Sequence, residues 1–268
     1  MTDTDWIGRN RSGQEAPGDR AVTGLRLVLG DLAADAALPP GLHWLILPEM
    51  VAAERLGRDG HPAPGVVLPD LGLPRRMWAG GELRFAAPMP DGPIRRSSTV
   101  EAITRKTGST GPLAFLTMRH VYAGGAAPFL SERQDIVYRE PPSGPTPAAA
   151  LAPDWPDAVS HAVTTDPVLL FRYSALTFNG HRIHYDAPYA TGVEGYDGLV
   201  VHGPLQATWL LNLATTLLGR LPAVFAYRGL SPLIVGQAAR VEAQPTGTGF
   251  NLRVRVEGGP VTFQATAE

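Results

Sequence analysis

Residues 202–219 read HGPLQATWLLNLATTLLG, and this stretch decides the fold. A helix over residues 204–218 would be apolar on nearly every face. Such a helix has to be enclosed rather than laid on a surface. A curved antiparallel sheet wrapped around it would do that. Pro204 suits the first helical turn and Gly219 the end. The residues just before it, 171–201, form a polar loop rich in histidine.

Working outward, the second half reads as a strand over 168–176 (VLLFRYSAL), the histidine loop, the buried helix, then strands at 223–229, 232–243, 249–257 and 260–267. The first half offers a short helix at 48–56 (PEMVAAERL) and a long Gly/Pro-rich loop at 59–81. Strands are expected there at 81–88, 95–108, 113–124 and 130–140. The β-branched and aromatic residues between turn signals favour antiparallel pairing. Residues 141–158, PPSGPTPAAALAPDWPDA, hold six prolines among alanines and suit an extended connector. The expected organisation is therefore a domain at 1–140, with 1–20 flexible, a linker at 141–160 and a second domain at 161–268. One helix followed by a run of strands in each half predicts an α+β unit used twice.

The composition narrows the function classes. A net charge of -2 gives no electrostatic reason to expect nucleic acid or an anionic membrane as partner. Zero cysteines exclude disulfides, thiolate chemistry and Cys-based metal sites. The first twenty residues are polar and lack a signal-peptide core, and no apolar run reaches membrane-spanning length. A cytoplasmic protein is the expectation.

The candidate chemistry gathers in residues 171–206, which hold three of the chain's seven histidines. His184 is the candidate general acid or base, because imidazole titrates near neutrality. Asn179 could orient both a water and a substrate oxygen, since an amide donates and accepts. Gly203 begins the buried helix, where unpaired N–H groups favour a developing oxyanion and a glycine lets a ligand approach. His181, His202, Asp186, Arg172 and Arg182 are candidates for contacting substrate or supporting the site. Arg75 and Arg76, before Met77-Trp78, are candidates for phosphate contacts. The H-x2-H-x-D spacing is not a familiar metal-ligand set, and no metal is expected. Ser174 lacks a nucleophile elbow, which argues against a hydrolase.

Residues Asn179-Gly-His-Arg-Ile-His184-Tyr-Asp186-x-x-Tyr189-Ala190, followed by His202-Gly203-Pro204-Leu205, resemble the MaoC-like hydratase/dehydratases. The closer resemblance is to the branch of mesaconyl-C4-CoA (itaconyl-CoA) hydratases and type 2 3-hydroxyacyl-thioester dehydratases. Leu73-Pro-Arg-Arg-Met-Trp-Ala-Gly-Gly81 and Asp135-Ile-Val-Tyr-Arg-Glu140 resemble its N-terminal part. The resemblance implies a double hot-dog fold, in which each unit wraps a helix in an antiparallel sheet. It also implies reversible hydration of an enoyl thioester without metal or organic cofactor. The wider family carries Asp-x4-His in this loop. His184 matches the histidine, but Asn179 stands at the aspartate position and cannot act as a carboxylate base.

Three functions follow as alternatives. The first is a hydratase of a short, branched dicarboxylic acyl-CoA. The second is a 3-hydroxyacyl-thioester dehydratase of fatty-acid synthesis, working on CoA or carrier-protein thioesters. The third is a non-catalytic acyl-thioester-binding protein. A homodimer is compatible with any of them.

Overall fold

Residues 113–122, LAFLTMRHVY, show why this chain builds sheet. Ala114, Leu116, Met118, His120 and Tyr122 are buried and the residues between them less so, which is the two-residue period of a strand with one covered face. The structure, a computed structural model, describes residues 2–108, 111–141 and 149–268. The first five strands are β1 (Asn10–Glu15), β2 (Arg75–Phe85), β3 (Ile94–Gly108), β4 (Gly111–Gly124) and β5 (Ala127–Arg139). The next five are β6 (Val159–Val163), β7 (Val224–Gly229), β8 (Ala239–Pro245), β9 (Phe250–Val256) and β10 (Val261–Ala267). All pair antiparallel in one sheet, ordered β1-β3-β4-β5-β2-β7-β10-β9-β8-β6.

That order is a repeat. The first unit runs β1-β3-β4-β5-β2, and the second runs β6-β8-β9-β10-β7 in the same relative order. They meet edge to edge at β2 and β7, where Gly81 faces Tyr227 and Leu83 faces Phe225. The α+β double hot-dog expected above is the observed fold.

Among the described residues, four α-helices accompany the sheet: α1 (Asp19–Leu29), α2 (Pro167–Thr177), α3 (Ala187–Gly192) and α4 (Gly203–Leu218). Every residue of α4 from Leu205 to Thr215 is buried, as the apolar pattern requires. Each leucine fully withdrawn from water here contributes about 1.5–3 kcal/mol. Its buried glutamine, asparagine and two buried threonines are each hydrogen-bonded, as buried polar groups must be. Gln206 accepts from Thr262, Thr208 donates to Pro204 O, and Thr215 donates to Leu211 O. Asn212 takes the N–H of Ala34 and donates to Pro40 O, fastening the loop after α1 to the central helix. Gly219 closes α4 with φ +66°, the left-handed cap expected of glycine.

Several expectations need correction. Residues 168–176 are not a strand but belong to α2. Asp166 accepts from Leu169 N at 2.7 Å and Pro167 fills the first position, so the run carries a helix start signal that its apolar content masked. The helix expected at 48–56 is a single 3-10 turn at Ala53–Arg55 that buries no residue. The first unit's helix is α1 instead, packed so closely on α2 that a Cβ on Gly24 would sit 2.6 Å from Leu176. Residues 10–15, in the segment expected to be flexible, form edge strand β1 on β3. The strand expected from 232 begins only at Ala239, and the residues before it run as a loop over Val200 and Val201. Residues 142–148 of the expected linker lie outside the described residues.

Candidate active site

Helix α2 delivers the first groups. It buries Leu170, Tyr173 and Ser174, one helical face at i, i+3 and i+4. Ser174 Oγ lies 2.9 Å from His202 Nε2, and the Tyr173 ring stands edge-on to the same imidazole at 5.0 Å. The helix ends at Phe178, a non-glycine residue with φ +51°. A side chain in that conformation costs about 1–2 kcal/mol and has to be held by its surroundings.

The loop that follows is stapled internally. Asn179 Oδ1 accepts the His181 N–H at 2.9 Å, leaving its amide nitrogen to donate elsewhere. Arg182 pairs with Asp186 at 2.7 Å and lies over the Tyr189 ring at 4.1 Å. Asp186 caps α3 by accepting from Tyr189 N. Arg182 and Asp186 therefore shape the loop. The first unit also grips it: Arg182 N donates to Asp59 O, and a Cβ on Gly60 would sit 2.0 Å from Gly180 O. Only glycine allows that approach.

Four histidines meet there. His184 and His202 stack with centroids 3.6 Å apart, His181 stands edge-on to His184 at 5.4 Å, and His61 packs on His181 at 4.5 Å. His61 belongs to the first unit and was not singled out from the sequence. His184 Nδ1 lies 2.7 Å from Val200 O. A carbonyl can only accept, so Nδ1 carries the proton and Nε2 presents a lone pair. Among the described residues nothing hydrogen-bonds to that Nε2, the arrangement a base requires.

Burial keeps these rings neutral. It pushes His184 down to about 3, with His181 adding to the effect. His61 is also pushed down to about 3, by burial and then by Arg76. His181 falls to about 3 as well, by burial and then by His61. His202, fully enclosed, lies well below the ordinary imidazole value for the same reason.

Gly203 is the first residue of α4, so its N–H has no acceptor within the helix. A Cβ there would meet Trp78 at 3.1 Å, which places the β2 tryptophan directly against the helix start. Trp78 stacks on Tyr227 at 4.6 Å and meets Trp44 edge-on at 5.7 Å. The structure thus brings together Asn179, His181, His184, His202 and Gly203. Arg172 lies apart, exposed on α2. Arg75 and Arg76 are engaged by protein groups. Arg75 forms a nearly enclosed pair with Glu194 at 2.8 Å, while Arg76 holds Asp59 at 3.3 Å and donates to Pro62 O.

The family model described as hydroxyacyl-thioester dehydratase type 2 matches residues 41–235. The chain is 41% identical to the mesaconyl-C(4)-CoA hydratase of Chloroflexus aurantiacus, covering 98% of this chain and 96% of that protein. It is 28% identical to the mitochondrial hydroxyacyl-thioester dehydratase type 2 of Schizosaccharomyces pombe over 79% of each. Among solved structures, HtdX of Mycobacterium tuberculosis superposes with a TM-score of 0.66 at 17% identity, covering 96% of this chain and 98% of that one.

Proposed function

Because the chain belongs to the hydroxyacyl-thioester dehydratase type 2 family, we propose that it is a hydro-lyase working at the C2–C3 bond of an acyl-CoA thioester. Its substrate in this reading is mesaconyl-C4-CoA or a related short, branched dicarboxylic acyl-CoA. The 41% identity to a hydratase of that name supports the choice over the longer-chain alternative. The observation that carries the chemistry is the His184 Nδ1–H to Val200 O hydrogen bond, which leaves the Nε2 lone pair free to take a proton.

In the hydration direction, His184 Nε2 takes a proton from water as the water oxygen bonds to C3. The C2–C3 π electrons move toward the thioester carbonyl, and the Gly203 N–H holds the oxygen as it becomes an enolate. The imidazolium then returns the proton to C2, the carbonyl re-forms, and one water has been added. Dehydration is the same path reversed. Asn179 donates its amide N–H to the water and fixes its approach, a task that needs no carboxylate. Holding water and enoyl group together supplies a large part of such a rate. Burial leaves the ring neutral with its lone pair available, and negative charge developing on the neighbouring thioester raises its affinity for the proton.

The test is hydration followed at the enoyl-thioester absorbance with mesaconyl-C4-CoA, itaconyl-CoA, crotonyl-CoA and a long-chain enoyl-CoA. The branched dicarboxylic substrates should react fastest. Preference for the long chain would move the assignment to the dehydratase reading that the 28% relative supports. Turnover of none would leave a binding protein.

A further inference from the structure

On the face of the sheet away from α4, the register lines up two neighbouring cross-strand rows. One runs Arg228, Gln264, Arg253, Glu242 and the other Ala226, Thr266, Asn251. Between these rows and the segment carrying Pro153 and Trp155 lies a cleft of about 510 Å³, a volume typical of small-molecule sites. Its lining includes Arg133, Arg228 and Arg253 but no aspartate or glutamate. Of the acids beside it, exposed Asp154 forms no ion pair among the described residues, and the others are taken. Glu242 is engaged by Arg253 at 2.7 Å and by Arg255 at 3.0 Å, and Glu82 by Arg84 at 2.6 Å. Arg228 is exposed and forms no ion pair among the described residues.

Arg253 is the odd member. It is among the largest fully buried side chains, and its guanidinium lies 3.9 Å beneath the Trp155 ring. Nε is satisfied by Glu242, yet Nη2 is buried with no hydrogen-bond partner. A guanidinium holds its donors in a planar fork suited to phosphate and carboxylate oxygens, so one half of this fork is spoken for and the other waits. Exposed Asn251, Gln264 and Thr266 add neutral donors around it.

From this arrangement we propose that the cleft is a second binding site, for a small oxyanion of two or more charges. Arg253 is its inner anchor, Arg228 its outer cation, and Trp155 the ring displaced when the anion reaches Nη2, while Arg133 at the rim is already held by Asp135 at 3.2 Å. Nothing in this assignment depends on the hydration chemistry, because the sheet lies between the cleft and α4. A phosphate ester and a polycarboxylate share the chemistry that Arg253 recognises, and two probes separate them.

Calorimetric titration of the full chain at low ionic strength with pyrophosphate and with citrate provides the test. Saturable binding of either supports the site and says which class it prefers. The affinity should fall as salt is raised. Arg228→Ala should weaken binding about tenfold while leaving acyl-CoA hydration unchanged, since one exposed cation facing a multiply charged anion is worth about that much at low salt. Arg253→Gln should abolish binding if the variant folds, and Trp155→Phe should remove the change in tryptophan fluorescence that accompanies binding. Absence of saturable binding by both probes into the millimolar range, or equal affinity in Arg228→Ala, would overturn the proposal.

Discussion

Substituting alanine for Gly203 sets two opposed effects against each other at the start of α4. The new Cβ would lie 3.1 Å from Trp78 Cε3 and 3.7 Å from Phe263 Cε2. Trp78 cannot retreat freely, because Tyr227 is stacked on it at 4.6 Å and Trp44 meets it edge-on at 5.7 Å. Overpacking of this kind costs about 1–3 kcal/mol. Loss of glycine's unfolded-state freedom returns about 0.4–1 kcal/mol. The net is a destabilisation of about 1 kcal/mol, a fall in Tm of about 2–4 °C for a chain of this size. The catalytic effect should be larger. If the helix start shifts by the few tenths of an ångström needed to relieve the contact, the Gly203 N–H leaves its best alignment with the enolate oxygen. Removing an oxyanion donor outright costs about 10²–10³ in rate, so a displaced one should cost at least about tenfold, mainly in kcat. Initial hydration rates and a thermal melt on the same preparation read both quantities. Wild-type kcat/KM in a variant with the expected drop in Tm would refute the placing of the thioester carbonyl at this helix.

Other substitutions probe the rest of the site. Asn179→Asp keeps the bond to His181 N–H but places a negative charge beside neutral imidazoles, which favours their protonated forms. The His181 and His184 pKa values, measured by NMR titration, should rise, and the acid limb of kcat/KM should move to higher pH. Unmoved histidine titrations would separate Asn179 from the cluster. Acid stability follows from the same burial. His43, held near 4, and His61, His181 and His184, held near 3, are neutral in the fold but titrate near 6.5 when unfolded. Their contribution is complete above pH 6.5 and is lost as pH falls toward their folded values, each by at most about 1.4 kcal/mol per pH unit. Unfolding at pH 5 should therefore take up about two to four protons, and a Tm that stays flat between pH 6.5 and 4 would contradict this. Arg75→Ala should cost about 3–5 kcal/mol in urea unfolding, because it leaves the nearly enclosed Glu194 carboxylate without a cation and with only the Tyr189 hydroxyl as donor. A loss below about 1 kcal/mol would mean that Glu194 relaxes into water.

The parts of this protein legible in its sequence are those fixed by local signals. Helix α4 is written in an all-round apolar run between a proline and a glycine, and β3, β4 and β5 in β-branched and aromatic runs between turns. The loop from Asn179 to Asp186 stands out because histidine is scarce elsewhere in the chain. Residues 168–176 misled because a short apolar run does not distinguish helix from strand, and its Asp166-Pro167 cap decides the matter. Helix α1 carries apolar residues at helical spacing (Val22, Leu25, Val28, Leu29), but Gly24 in its interior and the lack of a side-chain cap at Gly18 weaken the signal. His61 was invisible for another reason. Its contact with His181 depends on Gly60 and Gly180 meeting backbone to backbone, a long-range fit that no spacing in the chain encodes. The repeat is equally hidden in residue identities and plain in strand order, since topology constrains hydrogen-bond partners rather than side chains.

The central claim is that His184, with its Nδ1 proton fixed on Val200 O, is the base that moves the water proton. His184→Ala removes that base while leaving Ser174, His202 and the α4 start in place. The most direct measurement is kcat for mesaconyl-C4-CoA hydration in this variant, taken alongside circular dichroism and thermal melting. The account predicts a fall in kcat of about 10²–10⁴ with the fold intact. Turnover at the wild-type rate in a folded His184→Ala protein would contradict it.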